Sequence, residues 1–265
     1  MISSLQQKLN SGQAVMGTWS IVANATLVEI GAMAGLDFQI LDLEHGAYDM
    51  TTLEQAIRAS EGAGSAPLVR VPDLTPSTFQ RVLDLGAHGI VAPQIKSARD
   101  AERVVQYSKY PPRGVRGYNP FTRAANYSAP SSNTSGKLNL EFGLLGVIIE
   151  NNEAYAELDK ICAISEIGII YLGIYDMSLV LGCEGNTRDP KVREFVADAA
   201  RQVISAKKTL GLMVRTETDM DDAYRLGARF LVYEVDSHVI YRAFQTPVEW
   251  LKKKRPSLRL RKGQR

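Results

Sequence analysis

Cysteine and histidine are scarce in this sequence, and their scarcity excludes several kinds of site. The 265 residues contain two cysteines, Cys162 and Cys183, and three histidines. Two cysteines far apart in the chain define neither a disulfide framework nor a zinc motif. A reduced, cytoplasmic protein is therefore the expectation.

Long apolar runs and an excess of one charge are also lacking. No apolar run approaches the ~20 residues of a membrane span, and the N-terminal MISSLQQKLNSGQ lacks the basic-then-apolar order of a signal peptide. The net charge of +2 is too small to indicate a polyanionic partner. The tail 252–265 has eight Lys or Arg but no interleaved aromatics, so we expect a solvated or intersubunit extension. Neither a membrane nor a nucleic acid is expected as a partner.

The sequence does contain a regular alternation of short apolar runs with amphipathic stretches. Hydrophobic residues make up 45% of the chain, which is enough for a large core. The apolar runs predict strands at 15–22, 37–44, 67–72, 89–95, 144–150, 167–176, 212–216 and 229–235. The amphipathic stretches predict helices at 25–34, 52–63, 76–85, 98–110, 153–164, 192–209, 219–226 and 238–254.

Eight strand–helix units in succession are typical of an α/β fold, the closed parallel (β/α)8 barrel. We predict a single barrel domain over 1–265, with a C-terminal helix and a basic tail. A doubly wound open sheet is the alternative, but no GxGxxG motif follows the first predicted strand.

Charged residues stand at the carboxyl ends of four predicted strands. In the stretch LDLEHGAYDM, Asp42 and Glu44 fall on the face opposite to the flanking leucines. Arg70 and Glu150 end the third and fifth strands on their inward faces. Active sites of this fold lie at the carboxyl ends of the strands. The pattern therefore predicts a charged site at that end of the barrel.

The sixth predicted strand carries a further acid. Ile170, Leu172 and Ile174 share one face, and Asp176 ends that face. Asp176 is therefore expected at the same end of the barrel as Glu150.

The carboxylates at these strand ends outnumber the cations. Structural ion pairs also occur inside barrels, and Arg70 alone could neutralise Asp42 or Glu44. It cannot also pair with Glu150 and Asp176, and an anionic cluster favours a bound cation. Two carboxylates on adjacent strand ends suit a hard divalent metal such as Mg²⁺ or Mn²⁺.

His45 is the one histidine at the carboxyl end of a predicted strand. Histidine titrates near neutral pH, so His45 is a candidate general base. His88 and His238 are expected to be surface or packing residues. Lys96, just after the fourth strand, is the alternative chemistry, because a desolvated lysine could form a Schiff base without a metal.

Several motifs carry a resemblance to a known family. The stretches GTWS, LDLEHGAYD, VRVPD, YPPRGVRG, IIE and LGIYDMSLVLG occur in this order. With them the chain resembles the HpcH/HpaI aldolases, class II metal-dependent pyruvate aldolases related to the citrate-lyase β subunit. The resemblance runs from about Gly17 to Asp236, and the Asp-x-Glu-His segment is its most specific part.

The resemblance implies a role for each charged residue. His45 corresponds to the catalytic base, with Asp42 near it. Arg70 corresponds to the arginine that binds the keto or enolate oxygen. Glu150 and Asp176 correspond to the metal ligands, for Mg²⁺ or Mn²⁺ with Co²⁺ as a further option.

The resemblance also implies substrate contacts. Trp19 would line the pocket, and the segment from Gly173 through Tyr175 to Asp176 would hold the substrate carboxylate with backbone amides. Asp84 matches an acid that we expect to act at a neighbouring subunit, because topology places it at the other end of its own barrel.

The implied reaction is the reversible cleavage of a 4-hydroxy-2-oxo acid to pyruvate and an aldehyde. The metal would act as a Lewis acid that stabilises the enolate, and His45 would take the proton of the C4 hydroxyl. Ile148 and Ile174 stand where many members carry glutamine and proline, so the substrate or the activity could differ. The alternatives are a related carbon–carbon lyase for a larger acid or an acyl-CoA, and a non-catalytic barrel subunit.

The last predicted helix bears on assembly. Members of the resembled family are commonly hexamers in which this helix packs on a neighbour. Apolar residues at helical spacing are compatible with such packing, namely Val239, Ile240, Ala243 and Phe244 before Pro247, and Val248, Trp250 and Leu251 after it. We therefore expect a homo-oligomer, with a hexamer as its form.

Overall fold

Eight parallel strands close into a barrel in the computed structural model, which describes residues 4–129 and 143–258. Each strand pairs with the next along the chain, and the last pairs with the first. The strands are β1 (Val15–Ser20), β2 (Phe38–Asp42), β3 (Ala66–Arg70), β4 (Gly89–Ala92), β5 (Leu144–Ile149), β6 (Ile167–Leu172), β7 (Thr209–Val214) and β8 (Phe230–Val235). The predicted (β/α)8 barrel is confirmed.

At least one helix follows every strand, and a short helix that the sequence did not predict precedes the first. The helices are α1 (Ser4–Asn10), α2 (Ala25–Met33), α3 (Met50–Gly62), α4 (Pro76–Asp84), α5 (Ala98–Ser108), α6 (Asn152–Ala156), α7 (Leu158–Cys162), α8 (Ile174–Val180), α9 (Pro190–Ser205), α10 (Glu217–Arg225) and α11 (Asp236–Leu258). A 3₁₀ segment at Arg123–Ser128 lies in the polar stretch after α5. None of these helices is long and apolar enough to cross a membrane.

Local sequence signals set several helix ends. The Asp49 side chain accepts from the Thr52 amide and forms a capping box at the start of α3. Ser97 caps α5 in a similar way. Gly35 and Gly86 follow the ends of α2 and α4 with φ of +99° and +95°, a region in which side chains with a Cβ are strained.

The strands separate two apolar layers, which confirms the predicted alternation of faces. The inner layer fills the barrel and includes Phe38, Ile40, Leu68, Ile148 and Phe230. The outer layer packs the strands against the helices and includes Leu41, Val69, Val147, Ile149, Ile170 and Leu172. A residue two positions after an inner-layer residue faces inward in its turn. The inward direction predicted for three charged side chains follows, namely Asp42, Arg70 and Glu150.

Several predicted elements differ from the structure in their bounds: the fourth strand ends at Ala92, and the helix predicted at 153–164 is divided into α6 and α7. Two further differences affect residues of the site. The sixth strand ends at Leu172, and Asp176 lies in helix α8 rather than on the strand. The seventh strand begins at Thr209, inside the predicted helix, because α9 ends at Ser205 and Lys207 turns the chain with φ of +57°. Strand β7 therefore begins three residues before its predicted start at 212.

The last helix runs without interruption through Pro247 to Leu258, beyond its predicted end at 254. It packs on β1 and β8 near its start, where Asp236 accepts from the Ile21 and Val22 amides, both at 3.1 Å. The basic tail predicted at 252–265 lies partly outside the described residues, which end at 258.

The inner layer generates a stability prediction. Phe38 is 0% exposed and its ring stacks on Phe230 with centroids 3.9 Å apart. Phe38→Ala should therefore lower the free energy of unfolding by ~3–5 kcal/mol, through lost transfer energy and a cavity. Urea denaturation followed by circular dichroism measures this. Phe121→Ala is the control, because Phe121 is 72% exposed; an equal loss in both variants would contradict the assignment of Phe38 to the core.

Candidate functional site

The mouth of the barrel is organised by one arginine between two acids. Arg70 ends β3, and its Nε donates to Asp42 Oδ1 at 2.8 Å. Its Nη2 donates to the other oxygen of Asp42, so this ion pair is bidentate. Its Nη1 lies 3.1 Å from Glu44 Oε2. The arrangement holds the guanidinium rigidly at the carboxyl ends of β2 and β3.

Asp42 also shapes the loop that carries the predicted base. It is 0% exposed, and its Oδ1 accepts from the amides of Glu44 at 2.9 Å and His45 at 3.2 Å. These bonds turn the chain sharply after β2, so that His45 stands at the mouth with an exposed side chain. The predicted proximity of Asp42 to His45 is therefore realised through the backbone of His45.

Glu150 lies directly after β5 and is buried at the mouth. Its Oε1 accepts from the Gln94 amide at 2.6 Å. Burial raises the pKa of Glu150 to about 7. The Gln94 amide opposes this rise, and the neighbouring carboxylates Asp176 and Glu44 add to it. Glu150 thus stands among more negative than positive charge.

Gln94 was not singled out from the sequence, although it joins two of the acids. Its amide binds Glu150, and its side-chain Nε2 donates to Glu44 Oε1 at 2.7 Å. Gln94 has a φ of +53°, which costs energy in a residue with a Cβ. Nothing in the local sequence signals this conformation, because the loop after β4 is held by contacts to distant strands.

Asp176 reaches the site by a route that differs from the predicted one. It lies in the first turn of α8, and Gly173 connects that helix to β6. The predicted strand face of Ile170 and Leu172 belongs to the outer layer, so a longer strand would have pointed Asp176 away from the barrel. The helical turn brings it instead within electrostatic reach of Glu150.

Gly173 is needed where α8 begins. A Cβ there would lie 2.6 Å from Glu150 Cβ and 3.0 Å from its Oε2. Real side chains do not approach so closely, so only glycine lets α8 start this near to Glu150. Gly173 was predicted to contact substrate, and the structure places it directly behind the two predicted metal ligands.

Trp19 forms part of the wall beneath Arg70. The guanidinium carbon of Arg70 lies 4.5 Å from the centre of the indole, which is a cation–π contact. The indole Nε1 donates to the Tyr171 hydroxyl at 3.3 Å, and the two rings meet edge to face. Trp19 is 5% exposed, so it supports Arg70 more than it opens to solvent.

Tyr175 stands at the rim, 41% exposed, in the first turn of α8. Its hydroxyl accepts from Arg215 Nη1 at 2.9 Å. Arg215 follows β7 directly and was missed in the sequence, because the predicted seventh strand extended over it. The only signal that could have found it is a charged residue after the apolar run Leu210 to Val214.

Asp84 is not brought to the mouth of its own barrel. It ends α4 and forms an ion pair with Arg116 at 2.6 Å. The Arg116 side chain is 1% exposed and lies 4.8 Å from the Tyr110 ring. The structure thus places Asp84 away from the mouth, as the topology predicted, and its role at another subunit stays a prediction.

The burial of three further residues, Lys96, Ile148 and Ile174, bears on the hypotheses made for them from the sequence. Lys96 is exposed, so it lacks the desolvation that a Schiff-base lysine needs. Ile148 is 2% exposed in the inner layer, where it adds to the apolar surroundings of Glu150. Ile174 packs against the outer layer, so it does not point into the barrel.

The donor set at the mouth can be compared with the needs of a metal. Within the described part of the chain, no group of three or more His, Cys, Asp or Glu side chains is arranged to hold an ion. Glu150 and Asp176 provide two carboxylates, which suits a hard cation that keeps waters and substrate in its shell. The raised pKa of Glu150 marks a position where a divalent cation would offset burial and repulsion. The residues present therefore fit such an ion.

Comparisons with known proteins agree with this geometry. A family model described as HpcH/HpaI aldolase/citrate lyase matches residues 15–243. A hydroxypyruvate/pyruvate aldolase of Pseudomonas aeruginosa is 30% identical over 245 residues, which cover 92% of this chain and 91% of the relative. A 5-keto-4-deoxy-D-glucarate aldolase of Shigella boydii serotype 18 is 30% identical over 251 residues, which cover 92% of this chain and 95% of the relative.

A solved structure shows the same architecture. The HpcH/HpaI aldolase from Desulfitobacterium hafniense DCB-2 superposes with a TM-score of 0.87 at 29% identity, covering 95% of this chain and 97% of that chain. The family match spans β1 to the first turns of α11 and includes every residue of the barrel mouth described above. The chain therefore belongs to the HpcH/HpaI aldolase/citrate lyase family, a family of carbon–carbon lyases.

Proposed function

We propose that the protein is a metal-dependent aldolase that reversibly cleaves a 4-hydroxy-2-oxo acid to pyruvate and an aldehyde. The observation that carries the proposal is the excess of carboxylate at the mouth, where Asp42, Glu44 and Glu150 lie around Arg70 and Asp176 lies near Glu150. The relatives named for pyruvate and for a keto-deoxy sugar acid support this class of substrate.

Glu150 and Asp176 are the residues that would hold a divalent cation such as Mg²⁺, Mn²⁺ or Co²⁺. When bound, such a cation supplies Lewis acidity toward the 2-oxo acid. The Gln94 amide holds the Glu150 carboxylate in position, and Gly173 leaves the space that the Glu150 side chain occupies.

Arg70 is the residue that would meet the keto oxygen. Its bidentate pair with Asp42 and its contact with Glu44 fix the plane of the guanidinium. Nη1 and Nη2 each carry a second hydrogen that these contacts do not use. A donor held in this way stabilises negative charge that develops on the keto oxygen during cleavage.

His45 is proposed as the base that takes the proton from the C4 hydroxyl as the C3–C4 bond breaks. Its backbone is fixed by Asp42, and its exposed side chain can turn toward a substrate at the mouth. The same group returns the proton when the reaction runs toward addition. The first turn of α8, with the amides of Tyr175 and Asp176, is proposed to hold the substrate carboxylate.

The assembly is proposed to be a homo-oligomer, as a hexamer, in which α11 packs on a second copy. Four apolar side chains of α11 follow at spacings of three, four and three residues, namely Tyr241, Phe244, Val248 and Leu251, and all are exposed. This spacing forms one stripe along a helix, which is typical of helix–helix packing. A neighbouring copy would also give Asp84 a barrel mouth at which to act.

Metal binding should depend on pH through Glu150. Its pKa is raised to about 7 from an unfolded value near 4.5, so between these values only the folded state keeps the proton. The stability of the metal-free protein should therefore fall as pH rises through this window, and Glu150→Gln should remove that fall. Added Mn²⁺ should raise the melting temperature of the wild type above pH 7 and less below it, because proton and metal compete.

Two variants and a chelator complete this test. Glu150→Gln and Asp176→Ala should abolish the Mn²⁺ shift, whereas Glu166→Gln, at the other end of the barrel, should keep it. Undiminished turnover in excess EDTA would refute metal dependence.

His45→Ala should lower the rate of aldol cleavage by roughly 10²–10⁴-fold, the usual contribution of a general base. The Mn²⁺-dependent melting shift should survive, because His45 is not proposed as a ligand. Single-turnover kinetics coupled to pyruvate detection measure the rate, with His238→Ala as the matched control. Near-normal cleavage by His45→Ala would remove this residue from the mechanism.

Phe244→Asp should dissociate the oligomer, because it places a charge in the apolar stripe of α11. Multi-angle light scattering measures the mass, and turnover should fall together with it if Asp84 acts across subunits. Tyr224→Asp, on the exposed side of α10, is the control. A wild-type mass near one chain with full activity would overturn both the assembly and the role of Asp84.

A further inference from the structure

Arg215 is a cation at the rim without an acid to neutralise it. Its side chain is half-buried, its Nη1 donates to the Tyr175 hydroxyl at 2.9 Å, and its Nη2 donates to Thr187 Oγ1 at 3.3 Å. Asp219 accepts only from the backbone amide of Arg215, at 3.1 Å. Across residues 4–129 and 143–258, no carboxylate forms a salt bridge with this guanidinium. Both of its contacts are neutral hydroxyls, so its charge is free to bind an anion.

The position of Arg215 connects it to the barrel mouth. It follows β7, which neighbours β6, and its guanidinium lies 5.8 Å from the centre of the Tyr175 ring. Tyr175 precedes Asp176 in the first turn of α8. The pKa of Tyr171, inside the barrel, is raised mainly by burial and further by Tyr175, so the two hydroxyls lie within electrostatic reach. The Tyr175 hydroxyl thus holds Arg215 at the rim, beside the helical turn that carries Asp176.

Space adjoins the guanidinium as well. Arg215 lines a cavity of about 420 Å³ together with Ile174, Thr187, Arg188, Arg193 and Met213, which leaves room for a small charged group. Of the acids that line the same cavity, Asp222 is paired with Arg225 at 2.7 Å. Asp219, which accepts from the Arg215 backbone amide, is the other acid of the lining. Four arginines line the cavity against these two aspartates, so positive charge predominates in it.

The charge balance of the mouth makes such a cation consequential. Four carboxylates lie at the mouth, where Arg70 pairs with only two of them, and they would repel an aldehyde that carries a negative charge. A bound divalent ion would offset only part of this charge and would face the pyruvate half of the substrate. A neutral aldehyde needs no further cation, whereas an anionic aldehyde needs one on the opposite side of the mouth.

We infer that Arg215 is a specificity-determining residue, which recognises an anionic group at the far end of the aldehyde half of the substrate. The group is a carboxylate or a phosphate, because a guanidinium binds both as a fork. The inference rests on the proposed aldolase function and names its substrate class. Tyr175 and Thr187 are positioning residues that hold the fork in place.

The test compares matched charged and neutral acceptors in the addition of pyruvate. The holoenzyme with Mn²⁺ is given succinic semialdehyde or butanal, and glyceraldehyde 3-phosphate or glyceraldehyde. Arg215→Ala should lower kcat/KM for one charged acceptor by about 10–100-fold, as expected for a lost charge-assisted hydrogen bond. Each neutral partner should change by less than about threefold. The charged acceptor that suffers the larger loss identifies the group as carboxylate or phosphate.

Controls separate this inference from folding and from the proposed function. Arg215→Gln keeps most of the side-chain volume and should behave like Arg215→Ala, and Arg215→Lys should recover part of the loss. Arg201→Ala, on the exposed side of α9, should leave all four acceptors unchanged. Deuterium exchange at the methyl group of pyruvate, followed by NMR, should be equal in the wild type and all variants. Equal losses on charged and neutral acceptors with normal exchange would overturn the role of Arg215 alone. An absence of exchange in the wild type would overturn the proposed function and this inference with it.

Discussion

The bidentate ion pair between Arg70 and Asp42 is the interaction on which the barrel mouth depends. It occupies the inward positions at the ends of β2 and β3, with Asp42 fully buried. Breaking such a pair by removing one partner leaves a buried charge uncompensated, which is strongly destabilising. Because Asp42 also accepts two backbone amides, the pair determines where the chain leaves β2 and where His45 stands. Arg70 forms its ion pairs with Asp42 and Glu44, and within the described residues neither Glu150 nor Asp176 forms a salt bridge.

Glu150 is a carboxylate at the mouth that does not form an ion pair with Arg70. The backbone amide of Gln94 donates to its carboxylate. On the other side Gly173 has no side chain, which leaves the space that Glu150 occupies. Ile148 lies beneath it in the inner layer and contributes to its burial. A carboxylate held so firmly in apolar surroundings, next to Asp176, is costly without a cation. Strain at Gln94 and charge repulsion at Glu150 are therefore concentrated at one end of a barrel that is otherwise apolar inside.

Three further features lie outside the cluster of charges at the barrel mouth. The exposed stripe of α11 and the pair of Asp84 with Arg116 lie away from the mouth, and both bear on the proposed assembly of several copies. Arg215, in contrast, borders the mouth through Tyr175. In the proposed function, Glu150 and Asp176 would face the 2-oxo acid half of the substrate, and Arg215 would face its aldehyde half.

The sequence by itself determined the architecture and the inward charges. Alternation of strand and helix predicted the barrel, and the two-residue period of a strand placed Asp42, Arg70 and Glu150 on the inner face. Both patterns depend on residues that are neighbours in the sequence, so they can be recognised without knowledge of contacts between distant segments. Only the tertiary structure decided how Asp176, Gln94 and Arg215 come to lie at the barrel mouth. Asp176 arrives through a helical turn that replaces the predicted strand end, and Gln94 adopts a positive φ that distant contacts impose. Arg215 lies at the rim because its guanidinium donates to the hydroxyl of Tyr175, forty residues away in the sequence. These positions depend on contacts between segments far apart in the chain, and no spacing along the sequence encodes such contacts.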